Sequence, residues 1–267
     1  MTIQKMIEYK IVIPARYAST RFPGKPLVEI AGKTMLQWTY EAACQSQARD
    51  IYIATDDERI FESAKQYTDQ VVMTATSHQN GTERLSEVSE KLAFADDSIV
   101  VNVQGDEPLI KPSDIDLVAY TLQQSNEAGI STLYYPISDI NELFDPNIVK
   151  VVFNEQQLAL YFSRAPIPWN RNSFQNLLQS PEQQSDNLTG YYRHIGLYAY
   201  KAGLLAQLKQ LTPAQNELLE SLEQLRALHH GIKIAVAQCD EIPGIGVDIK
   251  EDLIQVERIL LQRSSQF

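Results

Sequence analysis

The strongest constraint on the fold is an alternation, through the first half of the chain, of short apolar runs with longer amphipathic stretches. The apolar runs predict buried strands at residues 9–14, 51–55, 70–73 and 98–103. The stretches between them have apolar residues at helical spacing and predict helices at residues 34–47, 57–67, 82–92 and 113–124. Apolar strands joined through helices are typical of a parallel sheet covered on both faces. We therefore predict an α/β fold of the Rossmann-like, doubly wound kind.

The second half of the chain departs from this pattern after Gly129. Strands without long helices between them are predicted at residues 130–136, 149–154 and 158–164, so we expect the sheet to become mixed. Residues 170–190 are rich in Gln, Asn and Ser, which predicts a surface excursion. The remaining predicted elements are a strand at 191–200, a helix at 218–229, a strand at 233–237 and a helix at 250–263. Neither a repeat nor a linker interrupts the sequence, so we predict a single domain over residues 1–267.

The charge of the chain is negative overall but unevenly distributed. A formal net charge of −11 argues against non-specific binding to nucleic acid or to an anionic membrane. Residues 1–28 nevertheless contain five lysines and arginines against the single acidic residue Glu8, which indicates a local pocket for a small anion. No apolar run reaches the ~20 residues that span a bilayer, and the N-terminus lacks a signal-peptide core. We expect a cytoplasmic protein.

The loop after the first predicted strand concentrates groups that bind phosphate. It holds three cationic and three small residues, Arg16, Ser19, Thr20, Arg21, Gly24 and Lys25. Guanidinium groups and a lysine suit a triphosphate, while hydroxyl groups and loop amides satisfy further oxygens. The loop also lies at the carboxyl end of a strand, where open α/β sheets bind their ligands. The sequence therefore predicts a nucleotide site here.

Two familiar nucleotide motifs do not explain this site. Gly32-Lys33-Thr34 resembles the end of a P-loop, but Leu27 stands where the first glycine of that motif belongs. Gly244 and Gly246 lack the third glycine of a dinucleotide fingerprint. The nucleotide site is of another design.

Three further residues suggest chemistry from their place along the chain. Asp106 follows the fourth strand and can hold magnesium through hard oxygen ligands, although Gly-Asp-Glu-Pro is also compatible with a simple turn. Arg84 lies near the first turn of a predicted helix, where it can meet phosphates; the alternative is a solvated helix residue. Arg164 follows a strand and can pair with a carboxylate in a bidentate manner.

The string Pro14-Ala-Arg-Tyr-Ala-Ser-Thr-Arg-Phe-Pro-Gly-Lys-Pro-Leu27 resembles the signature loop of the nucleotidyltransferases that make CMP-activated acidic sugars. Within that family it is most similar to the cytidylyltransferases of 3-deoxy-manno-octulosonate (Kdo). Further similar strings follow in family order along almost the whole chain: Ala54-Thr-Asp56, His78-Gln-Asn-Gly-Thr-Glu-Arg84, Asn102-Val-Gln-Gly-Asp-Glu-Pro108, Tyr161-Phe-Ser-Arg-Ala165, Arg193-His-Ile-Gly196, Leu222-Glu-Gln-Leu-Arg226 and Gly246-Val-Asp248.

The resemblance implies a mixed sheet of the nucleotide-diphospho-sugar transferase type, with a small β element that forms a homodimer. It divides the domain into a CTP-binding half, about residues 1–128, and a half for sugar binding and dimerisation, about residues 129–267. It implies CTP contacts at Arg16, Ser19, Arg21, Lys25, Thr55, Met73, Gly81 and Arg84. It implies sugar contacts at Gln104, Arg164, His194, Tyr198, Glu223 and Gln224. Asn80 stands where the family has Ser, and residues 212–216 depart from the family pattern, so neither is assigned a contact.

The resemblance also implies the reaction. CTP and Kdo give CMP-Kdo and pyrophosphate, which activates Kdo for lipopolysaccharide biosynthesis. Asp106 and Asp248 are implied as ligands of Mg²⁺, and with Arg16 and Lys25 they form the catalytic set; an alternative for Asp248 is the N-cap of the last helix. Two other functions stay open. One is a cytidylyltransferase for another acidic sugar, such as a sialic acid or an 8-amino analogue of Kdo, and the other is a CTP-binding protein without catalysis.

Overall fold

The computed structural model describes residues 7–18, 22–78, 80–171, 174, 188–242, 244, 246–247 and 249–264. The strands are β1 (Tyr9–Ala15), β2 (Glu29–Ile30), β3 (Lys33–Thr34), β4 (Asp50–Thr55), β5 (Val71–Met73), β6 (Ile99–Asn102), β7 (Ile130–Pro136), β8 (Lys150–Phe153), β9 (Ala159–Ser163), β10 (Tyr192–Lys201) and β11 (Ile234–Gln238). The helices are α1 (Met35–Ala43), α2 (Glu58–Ala64), α3 (Gly81–Lys91), α4 (Pro112–Gln124), α5 (Ile140–Phe144), α6 (Ala202–Gln210), α7 (Gln215–Glu220), α8 (Gln224–His229) and α9 (Lys250–Ser264).

The central sheet has the strand order β11-β7-β10-β6-β1-β4-β5. β6, β1, β4 and β5 are parallel to one another, whereas β10 runs antiparallel to both β6 and β7. The predicted change from a parallel to a mixed sheet is thus confirmed. β8 and β9 form a hairpin at one side, joined to β10 by the pairing of Lys150 with Arg193, and β2 pairs only with β3.

Helices cover both faces of the sheet, as the apolar strands predict. Along β1, successive side chains enter opposite layers of the core. Ile11 and Ile13 pack in a cluster that includes Leu36 of α1 and residues of α4. Val12 packs in a second cluster that includes Leu85 of α3 and residues of α6. The doubly wound architecture follows, because a strand with apolar residues on both faces must be covered twice.

Side-chain caps begin the three helices that follow the first strands. Thr34 accepts a hydrogen bond from the Gln37 amide at α1, Asp57 from the Arg59 amide at α2, and Asn80 from the Glu83 amide at α3. These bonds satisfy amides that have no partner within the helix. The cap at α3 accounts for Asn80 locally, since serine would fill the same role.

The predicted helix at residues 218–229 is wrong. Ser221 adopts a left-handed conformation (φ 52°) and separates α7 from α8. Leu219, an apolar residue of that predicted helix, is 80% exposed, whereas Leu225 is fully buried. The break is held by tertiary contacts, because the Glu220 carboxylate accepts hydrogen bonds from Ser163 Oγ (2.6 Å) and from the Arg164 amide (2.9 Å). Contacts of this kind are not visible in a local pattern.

Two helices were not predicted, α5 and α6, although the sequence carried a signal for α6. Ala202, Leu205 and Leu208 are spaced three residues apart and form the buried side of α6. The predicted excursion at 170–190 lies largely outside the described residues. Among the helices described here, none is long and apolar enough to cross a membrane.

The order of strands places a topological switch point between β1 and β6. From β1 the chain passes to β4 and β5 on one side, and then to β6 on the other side. Ligands of open α/β sheets bind at the carboxyl ends of the strands at such a point. The loops that leave β1 and β6 there are the loop containing Lys25 and the loop containing Asp106.

Candidate active site

Lys25 and Asp106 meet at the switch point. The ammonium of Lys25 lies 2.5 Å from Oδ2 of Asp106, with the lysine side chain 9% exposed and the aspartate side chain 35% exposed. Gly24, in a left-handed conformation (φ 73°), begins the short helical turn Lys25–Leu27 and donates its amide to the Tyr17 carbonyl (2.9 Å). The predicted phosphate loop therefore closes on itself and presents a cation beside a partly exposed carboxylate.

The first part of the phosphate loop is held by a stacking contact. The guanidinium carbon of Arg59, in α2, lies 3.3 Å from the centre of the Tyr17 ring. Asp57 receives two hydrogen bonds from the same guanidinium, at 2.9 and 2.6 Å. Arg16 is exposed at the end of β1, and Ser19 and Arg21 lie outside the described residues.

Arg84 is buried, so the alternative of a solvated helix residue is wrong. Arg84 is 3% exposed, and its guanidinium donates hydrogen bonds to Oδ2 of Asp56 (3.0 Å) and to Oγ1 of Thr74. Thr74 in turn donates its amide to the Thr55 carbonyl (2.8 Å). Arg84 therefore joins the carboxyl ends of β4 and β5, where Thr55 and Met73 are paired in register.

The segment before the last helix reaches the same loop. Val247 donates its amide to the Asp106 carbonyl (2.9 Å). Asp248, the next residue in sequence, lies outside the described residues. In the described part of the chain no group of three His, Cys, Asp or Glu side chains forms a ready-made metal site. Magnesium commonly binds one or two carboxylates together with substrate phosphates, and the partly exposed Asp106 carboxylate fits that donor chemistry.

A cavity opens on the other side of β6. Its polar groups and glycines come from four segments: Gly81 and Thr82, Asn102 and Gln104, Gly196, Tyr198 and Tyr200, and Glu223 and Gln224. Its aliphatic lining comes from Ile130, Leu208 and Ala227. Four of the six predicted sugar residues, Gln104, Tyr198, Glu223 and Gln224, are thus brought together. A Cβ on Gly81 would lie 3.4 Å from Pro14 and 3.6 Å from the Asn102 amide nitrogen, which are van der Waals contacts, so the start of α3 packs directly against these strands.

One polar atom behind this cavity lacks a partner among the described groups. It is Oδ1 of Asn102, which is inaccessible to solvent. Asn102 and Tyr198 are cross-strand neighbours on β6 and β10. The Tyr198 hydroxyl is also inaccessible to solvent, and a side-chain hydrogen bond joins it to Thr132. Both atoms therefore lie behind the cavity wall, and a ligand meets them only after a side-chain movement.

His194 lies behind the cavity rather than on its lining. Its Nε2 is 3.0 Å from Oγ1 of Thr132, and its ring packs 5.4 Å from that of Tyr198. Burial lowers the pKa of His194 to about 3, so the imidazole is neutral at neutral pH. The Thr132 hydroxyl also lies 2.9 Å from the carbonyls of Ile195 and Leu197, where β10 bulges. His194 can therefore support Tyr198 through packing and hydrogen bonding, without a positive charge.

The guanidinium of Arg164 donates hydrogen bonds to two backbone carbonyls. Its Nε donates to the Glu220 carbonyl (2.7 Å) and its Nη1 to the Pro146 carbonyl (2.9 Å). The buried ammonium of Lys150 donates to the Arg164 carbonyl (2.6 Å). Arg164 does not line the cavity formed by Gln104 and Glu223, so its contact with the sugar stays a prediction.

The sequence prediction missed three cavity residues with polar side chains, Thr82, Asn102 and Tyr200, besides Gly196 and the aliphatic lining residues. Thr82 and Asn102 lie inside the strings that carried the family resemblance, so a signal for them existed. The hydroxyl of Thr82 forms side-chain hydrogen bonds with Tyr200 and Glu223. Burial raises the pKa of Glu223, and the hydrogen bond from Thr82 acts in the opposite direction.

Replacement of Glu223 by Gln should change the pH dependence of stability. Although Glu223 as a residue is exposed, desolvation of its carboxyl group raises its pKa, so the folded protein retains the Glu223 proton at a pH where the unfolded chain has lost it. The stabilisation from this group is complete below the unfolded pKa, about 4.3, and is lost as the pH rises through the folded pKa. Urea unfolding at stepped pH should show this loss in the wild type and not in Glu223→Gln. Glu90→Gln, at an exposed position of α3, should follow the wild type; parallel curves for all three proteins would contradict the assignment.

Comparisons with known proteins show the family of the chain. Residues 10–234 match the family model described as cytidylyltransferase. A 3-deoxy-manno-octulosonate cytidylyltransferase of Pseudomonas fluorescens is 52% identical over 252 residues, 94% of this chain and 98% of that protein. One from Pasteurella multocida is 48% identical over 257 residues, 96% of this chain and 99% of that protein. A solved structure of CMP:2-keto-3-deoxy-manno-octonic acid synthetase complexed with CTP is similar with a TM-score of 0.84 and 39% identity, covering 96% of this chain and 99% of that one.

Proposed function

The chain belongs to the cytidylyltransferase family, and from that premise we propose that it joins CTP to Kdo, releasing pyrophosphate and CMP-Kdo. The observation that carries the proposal is the 2.5 Å contact of Lys25 with Asp106 at the switch point. Gln104, two residues before Asp106, lines a separate polar cavity. A site for a charged nucleotide and a site for a polar second substrate thus share one loop, as a transfer between two bound substrates requires.

The nucleotide occupies the carboxyl ends of β1, β4 and β5. Lys25, with Arg16 and the two loop residues Ser19 and Arg21, binds the triphosphate and stabilises the departing pyrophosphate. Thr55 and Met73 end strands on the far side of β1, where the base binds; Thr55 is fully buried and supports this surface from beneath, while the half-buried Met73 contacts the base. Gly81 and Arg84, at the start of α3, complete the nucleotide site.

The sugar occupies the cavity on the other side of β6. Gln104, Glu223 and Gln224 bind sugar hydroxyl groups, with Asn102 and Tyr198 behind them. A glutamate and two amides accept and donate several hydrogen bonds in fixed directions. The apolar side chains of Ile130, Leu208 and Ala227 line the rest of the cavity and contact the carbon skeleton of the sugar. His194 supports this cavity from behind it, and Arg164 meets the sugar carboxylate only if its guanidinium leaves the carbonyls of Glu220 and Pro146.

The chemistry is an in-line displacement. The anomeric 2-hydroxyl oxygen of the sugar forms a bond to the α-phosphorus of CTP, and the bond from that phosphorus to the pyrophosphate oxygen breaks. The protein acts by position and by charge, without a covalent intermediate. The ammonium of Lys25 stabilises the negative charge that develops on the leaving group.

Asp106 and Asp248 are the residues that would hold Mg²⁺. When bound, the ion supplies charge neutralisation at the phosphates and a lower pKa for the attacking hydroxyl. The carboxylate of Asp106 is suited to this role because it is partly exposed and lies at the edge where the phosphates bind. The amide of Val247 on the Asp106 carbonyl brings the second segment to the first.

The test is pyrophosphate release from CTP with the purified chain, magnesium and Kdo, compared with an 8-amino analogue of Kdo and a sialic acid. We expect turnover that depends on all three components and is fastest with Kdo. Faster turnover with the 8-amino analogue or the sialic acid would reassign the substrate within acidic sugars. If the chain binds CTP but releases pyrophosphate with none of these sugars, it is a CTP-binding protein and not a cytidylyltransferase.

We place the enzyme in the cytoplasm as a homodimer that activates Kdo for lipopolysaccharide biosynthesis. The β8–β9 hairpin stands beside the main sheet and exposes Leu160 (60%), which an apolar contact between two copies would cover. Sedimentation equilibrium should give a dimer for the wild type and a larger monomer fraction for Leu160→Asp. A wild-type monomer at micromolar concentration would contradict the dimer.

A further inference from the structure

One face of α3 carries three ionisable side chains that bind back to the loop before it. Arg84, Glu87 and Lys91 are three and four residues apart, a spacing that places them on the same side of a helix. The loop from Thr74 to Asn80 joins β5 to α3, and its residues lie where the nucleotide base is proposed to bind. Each of the three side chains contacts a different part of this loop or of the strand end that precedes it.

The contacts follow one another along the chain. Lys91 Nζ donates to the Met73 carbonyl (2.7 Å). Arg84 donates to the Thr74 hydroxyl. Glu87 accepts a hydrogen bond from the Ala75 amide (2.8 Å) with the same carboxylate oxygen, Oε2, that contacts Nε2 of His78.

Glu87 is the centre of this arrangement. Its other oxygen, Oε1, lies 2.8 Å from the ammonium of Lys91, so its carboxylate joins the backbone at residue 75, the ring at 78 and the lysine that holds residue 73. Burial by itself would raise the pKa of Glu87, but bonds from Lys91, the Ala75 amide and His78 outweigh it and hold the pKa at about 2. The carboxylate is therefore charged throughout the neutral range and keeps these bonds.

The loop held in this way borders the nucleotide site. Ala15, Thr55 and Met73 are aligned across β1, β4 and β5. Met73 lies two strand spacings, about 10 Å, from β1, the strand that leads to the phosphate loop. That separation is comparable to the reach of a nucleoside from its phosphates. A shift of residues 73–75 would therefore move the groups that contact the base without touching the sugar cavity.

We propose that Glu87 is a positioning residue for nucleotide recognition: it fixes the β5–α3 loop and thereby sets the affinity for CTP and the preference for cytosine over uracil. This inference rests on the proposed function for the identity of the nucleotide. Glu87 acts through the loop and does not touch the substrates. Its loss changes the nucleotide site while the sugar cavity keeps its shape.

The test compares Glu87→Ala and Glu87→Gln with the wild type. We expect Glu87→Ala to raise the KM for CTP roughly tenfold, the scale of one charged hydrogen bond, and to lower the ratio of CTP to UTP use. The KM for the sugar should stay within about twofold of the wild-type value. A general loss of structure would raise this KM as well. Glu87→Gln keeps an oxygen that accepts the Ala75 amide and should recover part of the CTP affinity. Glu90→Gln and Glu90→Ala, on the exposed side of α3, are the matched controls.

Calorimetric titration with CTP alone provides a second measurement that does not need turnover. Weaker CTP binding in Glu87→Ala, with partial recovery in Glu87→Gln, supports the proposal even if Kdo is not the sugar. If Glu87→Ala does not fold, Glu87→Gln and Lys91→Ala carry the test, each with a smaller loss of CTP affinity. An equal rise of both KM values, or unchanged CTP affinity in the folded variants, overturns the proposal. A wild type that binds CTP but does not turn over would contradict the proposed function and leave the binding test of Glu87 in force.

Discussion

Replacement of Asp106 by Asn is expected to lower turnover roughly a thousandfold, the scale seen when one preorganised electrostatic group is removed from an active site. Asp106 is the carboxylate at the switch point that contacts Lys25 and is proposed to hold magnesium. Asparagine has nearly the same shape but no charge, so it can neither balance the Lys25 ammonium nor bind a hard cation strongly. The effect should appear in kcat rather than in the KM for the sugar.

The fold of Asp106→Asn should survive. The aspartate side chain is 35% exposed but that of Lys25 is only 9% exposed, so loss of the carboxylate costs more than a surface ion pair, about 2 kcal/mol, and the melting temperature should fall by ~4–8 °C. Pyrophosphate release and thermal unfolding, measured on the same preparation, separate the two effects. Asp97→Asn, an equal change of charge at an exposed position, is the control. Turnover above a tenth of the wild-type value in Asp106→Asn would remove Asp106 from the catalytic set.

Chelation of divalent cations should reproduce the effect of Asp106→Asn in the wild-type enzyme. Turnover should stop and return when magnesium is added in excess, because the phosphates of CTP then regain their counterion. Full turnover in the presence of chelator would contradict the metal assignment. It would leave the charge of Asp106 beside Lys25 as the remaining role of this residue.

Arg84→Met is expected to cause the largest combined loss of stability and nucleotide binding. Its guanidinium is buried and pairs with Asp56 at 3.0 Å. Removing one partner of a buried pair costs roughly 3 kcal/mol, because the other charge is left uncompensated. The same guanidinium holds Thr74, so we also expect the KM for CTP to rise by a factor of tens to about a hundred. Urea unfolding and steady-state kinetics measure the two quantities.

The double variant Asp56→Ala with Arg84→Met distinguishes the two consequences. Removing both charges eliminates the uncompensated carboxylate, so part of the lost stability should return. CTP affinity should not return, because neither group remains at the nucleotide site. If Arg84→Met and the double variant have equal free energies of unfolding, the unpaired charge of Asp56 is not the cause of the lost stability. Recovery of CTP affinity in the double variant would show that Arg84 only neutralises Asp56.

The strands, the doubly wound class and the phosphate loop were predictable because they depend on local patterns. An apolar run such as residues 98–103 can be buried only if both of its faces are covered, and the helical spacing on either side supplies that cover. The place of the Lys25 loop at the ligand-binding edge of the sheet follows directly from the order of the strands along the chain. The helix break at Ser221 was not predictable, because the hydrogen bonds that hold it come from Ser163 and Arg164 in a distant hairpin.

The candidate site divides in the same way. Short strings of the sequence predict the types of residue at the switch point, which are a cationic loop after β1 and a carboxylate after β6. The start of α3 was also predictable from such a string. The partners of those residues were not. Arg84 had a predicted role toward phosphate, but its burial between Asp56 and Thr74 and the supporting bonds of Glu87 appear only when β4, β5 and α3 are packed together.

The sequence by itself determined the fold class, the family and the edge of the sheet where chemistry takes place, because periodicity and loop composition are properties of neighbouring residues. Only the tertiary structure decided which groups touch. It paired Lys25 with Asp106, gathered Gln104, Tyr198 and Glu223 around one cavity, and directed Arg164 toward backbone carbonyls. The physical reason is that hydrogen bonds and ion pairs act over a few ångströms, between residues that the chain brings together from far apart.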